Sequence, residues 1–199
     1  MNRAELIRQI KKYRPFNEQE ERDKARMLTA LSSVEDIFSR ENELLHMTAS
    51  AWVVNKDLTR VLMVYHNIYK SWSWLGGHAD NDTDLLHVAC KEVMEESGLK
   101  KVTPLSENIY SLEILAVNGH FKKGCYVGGH LHYNITYLLE ADDEDPIFAN
   151  EMENSAVGWF SPAEALKKST EPWFVENIYT KLEQKLDIFL QSDEKSDLS

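Results

Sequence analysis

Residues 76–99 read Gly-Gly-His-Ala-Asp-Asn-Asp-Thr-Asp-Leu-Leu-His-Val-Ala-Cys-Lys-Glu-Val-Met-Glu-Glu-Ser-Gly-Leu, and the chain is organised around them. Trp72, Trp74 and Leu75 precede the glycine pair, and a polar turn follows it. The next residues have helical character. Asp82 or Thr83 can cap the start of that helix, and Gly98 can take the left-handed conformation that ends it. Glu92, Glu95 and Glu96 then stand at i, i+3 and i+4, which puts three carboxylates on one helical face, about 5–6 Å apart at Cβ. Like charges so close repel. A hard divalent cation accepting their oxygens reverses the sign of that interaction, and magnesium or manganese suits such oxygens. The Gly76-Gly77 turn can carry a backbone carbonyl close to the same ion, because glycine tolerates conformations that other residues resist.

Outward from this stretch, the 199 residues and 23.0 kDa fit one domain with a small appendage. A hydrophobic content of 43% and a charged content of 28% are those of a soluble globular protein. No apolar run approaches the ~20 residues of a membrane helix, and the charged N-terminal residues lack the apolar core of a signal peptide. Two cysteines, Cys90 and Cys125, make no disulfide framework. The expected location is the cytoplasm, with Cys90 a reduced thiol packed in the core. A net charge of −11 argues against binding to a nucleic-acid backbone. It leaves a phosphorylated small molecule open, since a bound metal supplies positive charge locally.

The lead is helical in period: Ala4 to Tyr13, closed by Pro15, then a second helix capped by Asn17 and running to about Leu31. Residues 1–31 hold eight Lys/Arg and five Asp/Glu, a balance of +3 that leaves −14 for the rest. This segment can be a lid, a homodimer contact, a specificity element, or a helical pair packed on the sheet. From Met47 the pattern changes to strands, Thr48 to Val54 and Arg60 to His66, joined by a turn at Asn55-Lys56-Asp57. Trp72 and Trp74 can stack on a nucleobase or fill the core, and at least one is expected in the core. Ile109 to His120 is strand-like, Phe121 to Gly129 has loop composition, and His130 to Leu139 alternates. There Leu131, Tyr133, Ile135, Tyr137 and Leu139 share one face, with His130, His132, Asn134 and Thr136 on the other. His130 and His132 could bind a metal, but only two histidines are visible there. The reading taken is cleft-lining substrate contacts, beside ordinary strand histidines. Ala156 to Phe160 is a further strand, Ser161-Pro162 starts a helix, a last helix spans about Pro172 to Leu190, and 191–199 reads as a disordered tail. Helices, strands, helix, strands, helix fit α+β or α/β layering with a mixed sheet between helices.

The 76–99 stretch resembles the Nudix box, G-x5-E-x7-R-E-U-x-E-E-x-G-U, with U bulky and apolar. Gly77 takes the glycine, and Glu92, Val93, Met94, Glu95, Glu96, Ser97, Gly98 and Leu99 form the core of the box. Thr83 stands where the family has glutamate and Lys91 where it has arginine; the Gly-Gly-His-Ala-Asp form resembles a subgroup of the family. The resemblance implies a Nudix-like α/β/α sandwich over 41–190 with a helical extension at 1–40. It implies a metal site of Gly76, Glu92, Glu95 and Glu96 holding Mg2+ or Mn2+. Catalytic carboxylates are then Glu92 and Glu96 with Glu153 from a later loop, and Trp74, His78, His130 and His132 are candidate substrate contacts. The implied reaction is metal-dependent hydrolysis of a nucleoside diphosphate linked to another moiety. The alternatives are a non-catalytic ligand sensor of the same fold and an isopentenyl-diphosphate isomerase-like enzyme. The two departures are expected to alter the bracing of the loop, with Asp80, Asp82 or Asp84 able to replace the missing carboxylate.

Overall fold

A computed structural model describes residues 2–122 and 124–196. Two helices lead, α1 (Arg3–Lys12) and α2 (Glu18–Ser33), capped by the side chains of Asn2 and Asn17. The strands β1 (Leu45–Val54), β2 (Val61–His66), β3 (Ser71–Ser73) and β4 (Leu75–His78) follow, then α3 (Leu85–Ser97). Next come β5 (Thr103–Pro104), β6 (Ser111–Val117), β7 (His120–Lys122), β8 (Cys125–Val127), β9 (His130–Glu140) and β10 (Asn154–Phe160). α4 (Pro162–Lys168) starts at a Ser161–Glu164 capping box. α5 (Pro172–Phe174) leads through a π-helical turn, Val175–Tyr179, into α6 (Thr180–Ser196).

The main sheet is mixed, in the order β10-β2-β1-β9-β5, with β3 on β2, β4 on β1 and β6 on β9. Its centre is the parallel pair β1–β9, in register from Leu45 opposite Leu131 to Val54 opposite Glu140. Alternation along β1 divides the core. Met47, Ala49, Ala51 and Val53 pack with α3 (Leu85, Val88, Ala89, Val93) and with Leu6, Ile10, Met27 and Leu31 of the leading helices. Trp52 and Val54 pack on the opposite face with Leu138, Ile178, Leu182 and Leu186. The result is the α/β/α layering expected, an α+β fold.

The leading helices are joined to this frame by charge as well. Lys181 Nζ lies 2.8 Å from Glu113 Oε1 and 3.1 Å from Glu20 Oε1, and Ser111 donates to Glu20 at 2.7 Å. Lys181, Glu20 and Glu113 are almost fully buried. Burial alone would depress the Lys181 ammonium, but Glu113 and Glu20 outweigh it and hold its pKa above the ordinary lysine range.

The structure corrects two expectations and adds one strand. The segment 121–129 is not simply a loop, for β7 and β8 pair as an antiparallel hairpin turned at Gly124, φ +82°. The stretch 101–104 holds a short strand on β9. The last helix continues to Ser196, past the Leu190 limit read from the sequence, while 197–199 lie outside the described residues.

Candidate active site

The glycine pair is explained by close approach. A Cβ on Gly76 would stand 2.5 Å from the Ala49 carbonyl oxygen and 2.6 Å from Ser50, on the neighbouring strand. A Cβ on Gly77 would stand 2.4 Å from Glu92 Cδ. β4 therefore slots between β1 and the face of α3 that carries the carboxylates.

Glu96 is the most constrained of these. It is 5% exposed, and its Oε2 accepts the Gly76 N–H at 2.9 Å. Its Oε1 accepts from Asn154 Nδ2 at 2.8 Å. Burial pushes its carboxyl up to about 8. The donors from Asn154 and Gly76 oppose that shift, while Glu92 and Glu153 add to it. Burial likewise raises Glu92, against the pull of Lys91 and with help from Glu95 and Glu153. Glu95 differs: it is exposed and pairs with Lys91 at 3.4 Å, and Lys91 also reaches Glu92 at 3.3 Å. The i, i+3, i+4 spacing thus gives two carboxylates turned to the glycine turn and one facing outward.

Glu153, exposed just before β10, is close enough to Glu92 and Glu96 to raise both. The neighbour that touches Glu96 is Asn154, which sequence reading missed. The available signal was its place directly after Glu153, at the start of a strand. The oxygen-only set of Glu92, Glu96 and nearby Glu95 and Glu153 fits a hard divalent cation. Burial raises the carboxyls of Glu96 and of half-buried Glu92, and the positive charge of such an ion would favour their ionised forms.

The loop after β4 is braced by the segment that precedes β1. Asp80 forms a bidentate pair with Arg40, from the segment before β1. The Asn81 N–H donates to the Phe38 carbonyl at 2.9 Å, and both Asp80 and Asn81 have positive φ. Asp82 accepts from His87 Nδ1 at 2.8 Å and from the Asp84 N–H at 2.8 Å. Helix α3 is capped by Asp84, accepting from the His87 N–H, rather than by Asp82 or Thr83; the Asp82 carboxylate is taken up by the Asp84 N–H and the His87 ring. Gly98 ends the helix with φ +73°, as expected. Asp80, Asp82 and Asp84, candidates for the missing carboxylate, are each engaged in shaping the loop.

Of the candidate substrate contacts, Trp74 packs edge-on against Tyr179 in the second core cluster, ring centroids 5.8 Å apart. His78, His130 and His132 come together at the other end of the sheet face, joined by His46, which sequence reading had not singled out. Cys90 is half-buried against the first core cluster, and Cys125 is exposed on the β7–β8 hairpin.

Residues 44–182 match the NUDIX domain model. Among solved structures, the fold is similar to a Caenorhabditis elegans Ap4A hydrolase in a binary complex, with 19% identity and TM-score 0.53, covering 73% of this chain and 98% of that one. It is also similar to the MutT protein from Methanosarcina mazei Go1, with 14% identity and TM-score 0.51, covering 70% and 93%. The Nudix hydrolase RenU from M. smegmatis matches at 15% identity and TM-score 0.50, covering 70% and 84%. Among curated proteins, none matches. With the box helix, its glycine turn and the family match over most of its length, the chain belongs to the NUDIX domain family of hydrolases acting on phosphorus-containing acid anhydrides.

Proposed function

We propose that the chain hydrolyses a nucleoside diphosphate linked to another moiety, with Mg2+ or Mn2+ as cofactor. The observation that carries this is the holding of Glu96 by the Gly76 N–H and Asn154 beside Glu92. A bound divalent ion polarises phosphoryl oxygens and lowers the pKa of a bound water. Glu92, Glu95 and Glu96 with the Gly76 carbonyl would hold it. Asn154 and the Gly76 N–H fix the Glu96 carboxylate in one orientation. Glu92, Glu96 and Glu153 are the carboxylates available to take the proton of the attacking water. Lys91 draws Glu92 and Glu95 together, and the Arg40–Asp80 pair takes over the bracing that the family assigns to the positions held here by Thr83 and Lys91. On this reading the departures from the box alter the support of the loop and keep Glu92, Glu95 and Glu96 as the metal ligands. The name of the similar Ap4A hydrolase is in keeping with a nucleotide anhydride as substrate. The cytoplasm remains the proposed location; among the described residues no helix is long and apolar enough to cross a membrane.

A panel of nucleotide sugars, dinucleotides and nucleoside triphosphates tests this, with phosphate measured after a phosphatase is added. Turnover of one class in magnesium, absent in EDTA, is expected. Tight binding of a nucleotide without turnover would make the protein a ligand sensor instead.

A further inference from the structure

The second constellation lies on the sheet face that carries Trp52 and Val54, toward the opposite end of β1. His46 stands opposite His132 in the parallel β1–β9 pair, and His78 stands opposite Thr48 across the β1–β4 pair. Strand alternation puts His46, Thr48, His130 and His132 on one face. One ring nitrogen from each of His46, His78, His130 and His132 lies within 4.8 Å of the other three. His130 Nε2 and His132 Nε2 are hydrogen-bonded at 3.1 Å, a contact that a shared ion would replace, near the ~3.3 Å separation of two nitrogens that each sit ~2.0–2.1 Å from a tetrahedral ion.

Two of the tautomers are fixed from behind. His46 Nδ1 lies 2.9 Å from the Asn42 carbonyl and His130 Nδ1 lies 2.9 Å from the Gly128 carbonyl. A carbonyl oxygen can only accept, so both Nδ1 atoms carry hydrogen and both Nε2 lone pairs are directed elsewhere. His46 is 3% exposed, and its Nε2 is buried without a hydrogen-bond partner. A histidine whose outer N–H is tied to a carbonyl while its inner nitrogen stays bare has the usual arrangement of a metal-bound imidazole.

We propose that His46, His78, His130 and His132 form a transition-metal site, with zinc as the representative ion, separate from the carboxylate site of α3. Four imidazole nitrogens suit zinc, cobalt or nickel and not magnesium, whose ligands are oxygens. A closed set of four protein ligands is the form of a structural ion. Such an ion would tie β1, β4 and β9 together one residue beyond Gly77, and so hold the glycine turn against α3.

The test uses the full chain, stripped with EDTA and dialysed, then titrated with Zn2+ against a chromophoric chelator and separately with Co2+. Uptake of one Zn2+ per chain is expected, with a rise in Tm and, for cobalt, the intense visible absorption of a tetrahedral complex. His132→Gln should weaken Zn2+ binding by at least the ~10–100-fold that loss of a ligand's hydrogen-bond partner costs a metal site. His130→Gln, at a half-buried position, is the second variant should His132→Gln fail to fold. The double variant Glu92→Gln/Glu96→Gln should keep the cobalt spectrum. Absence of tight Zn2+ uptake by the wild type would overturn the proposal. Zn2+ binding unchanged in a folded histidine variant would also overturn it, as would a cobalt spectrum lost in the carboxylate variant.

Discussion

Asn154 is completely buried, and its amide donates to one oxygen of a carboxylate whose other oxygen is held by a backbone N–H. It is a positioning residue: it touches Glu96 and acts through it. Asn154→Ala leaves that oxygen without its donor, which costs about 1–3 kcal/mol where the group stays buried. It also frees the carboxylate to rotate. Turnover should fall more than stability requires, and the Glu96 carboxyl should titrate higher than in the wild type. Melting temperature and a pH profile of kcat check both. The residue scale is also where sequence reading stopped short. Glu92, Glu95 and Glu96 were legible because i, i+3 and i+4 fix a helix face. Their separate environments were not: burial of Glu96 and exposure of Glu95 depend on which way α3 rolls against β4. Asn154 and His46 come from other elements, and no spacing within the chain links them to their partners.

At the scale of elements, the two glycines answer to different neighbours and should fail differently. A methyl group at residue 76 meets the backbone of β1, which cannot give way without disturbing the β1–β4 pairing. Gly76→Ala should therefore destabilise by at least the ~1–3 kcal/mol of an overpacked core site. A methyl group at residue 77 meets the end of the Glu92 side chain, which can swing aside. Gly77→Ala should keep most of its melting temperature and lose activity through the displaced carboxylate. Equal thermal losses in the two variants would contradict the assignment. α2 and β9 were read close to their bounds, because their periods are clear and Asn17 caps α2, whereas β1 begins three residues before its expected start at Thr48. The start of α3 was misread by one or two residues. Asp82, Thr83 and Asp84 are all residue types that cap helices, and Asp82 is taken up by the His87 ring of α3.

For the whole molecule, the leading helices share the first core cluster with β1 and α3, so the boundary near residue 40 coincides with no gap in the packing. Lys181 on α6, Glu20 on α2 and Glu113 on β6 close that arrangement inside the protein. Lys181→Met removes the ammonium and leaves two buried carboxylates with Lys185, 3.6 Å from Glu20, as the nearby cation among the described residues. Breaking such a cluster on one side costs about 3–5 kcal/mol. Chemical denaturation should show that loss, and more at neutral pH than at an acid pH where Glu20 is protonated. The α+β layering was legible from element order and the box. The union of the first helices with the last was not, because Glu20 and Lys181 read as ordinary surface charges until the fold buries them.

The central claim is that the glycine turn and α3 build a divalent-metal hydrolytic site around Glu96. Once the panel identifies a substrate, the direct measurement is its turnover by wild type and Glu96→Gln, with magnesium and with EDTA, alongside melting curves. Glutamine keeps size and helix propensity but removes the charge, and it sets an amide against the donors of Gly76 or Asn154. The account predicts that turnover falls on the order of a hundredfold or more, with loss of the magnesium-induced rise in Tm. Full activity in Glu96→Gln, with that rise intact, would contradict it.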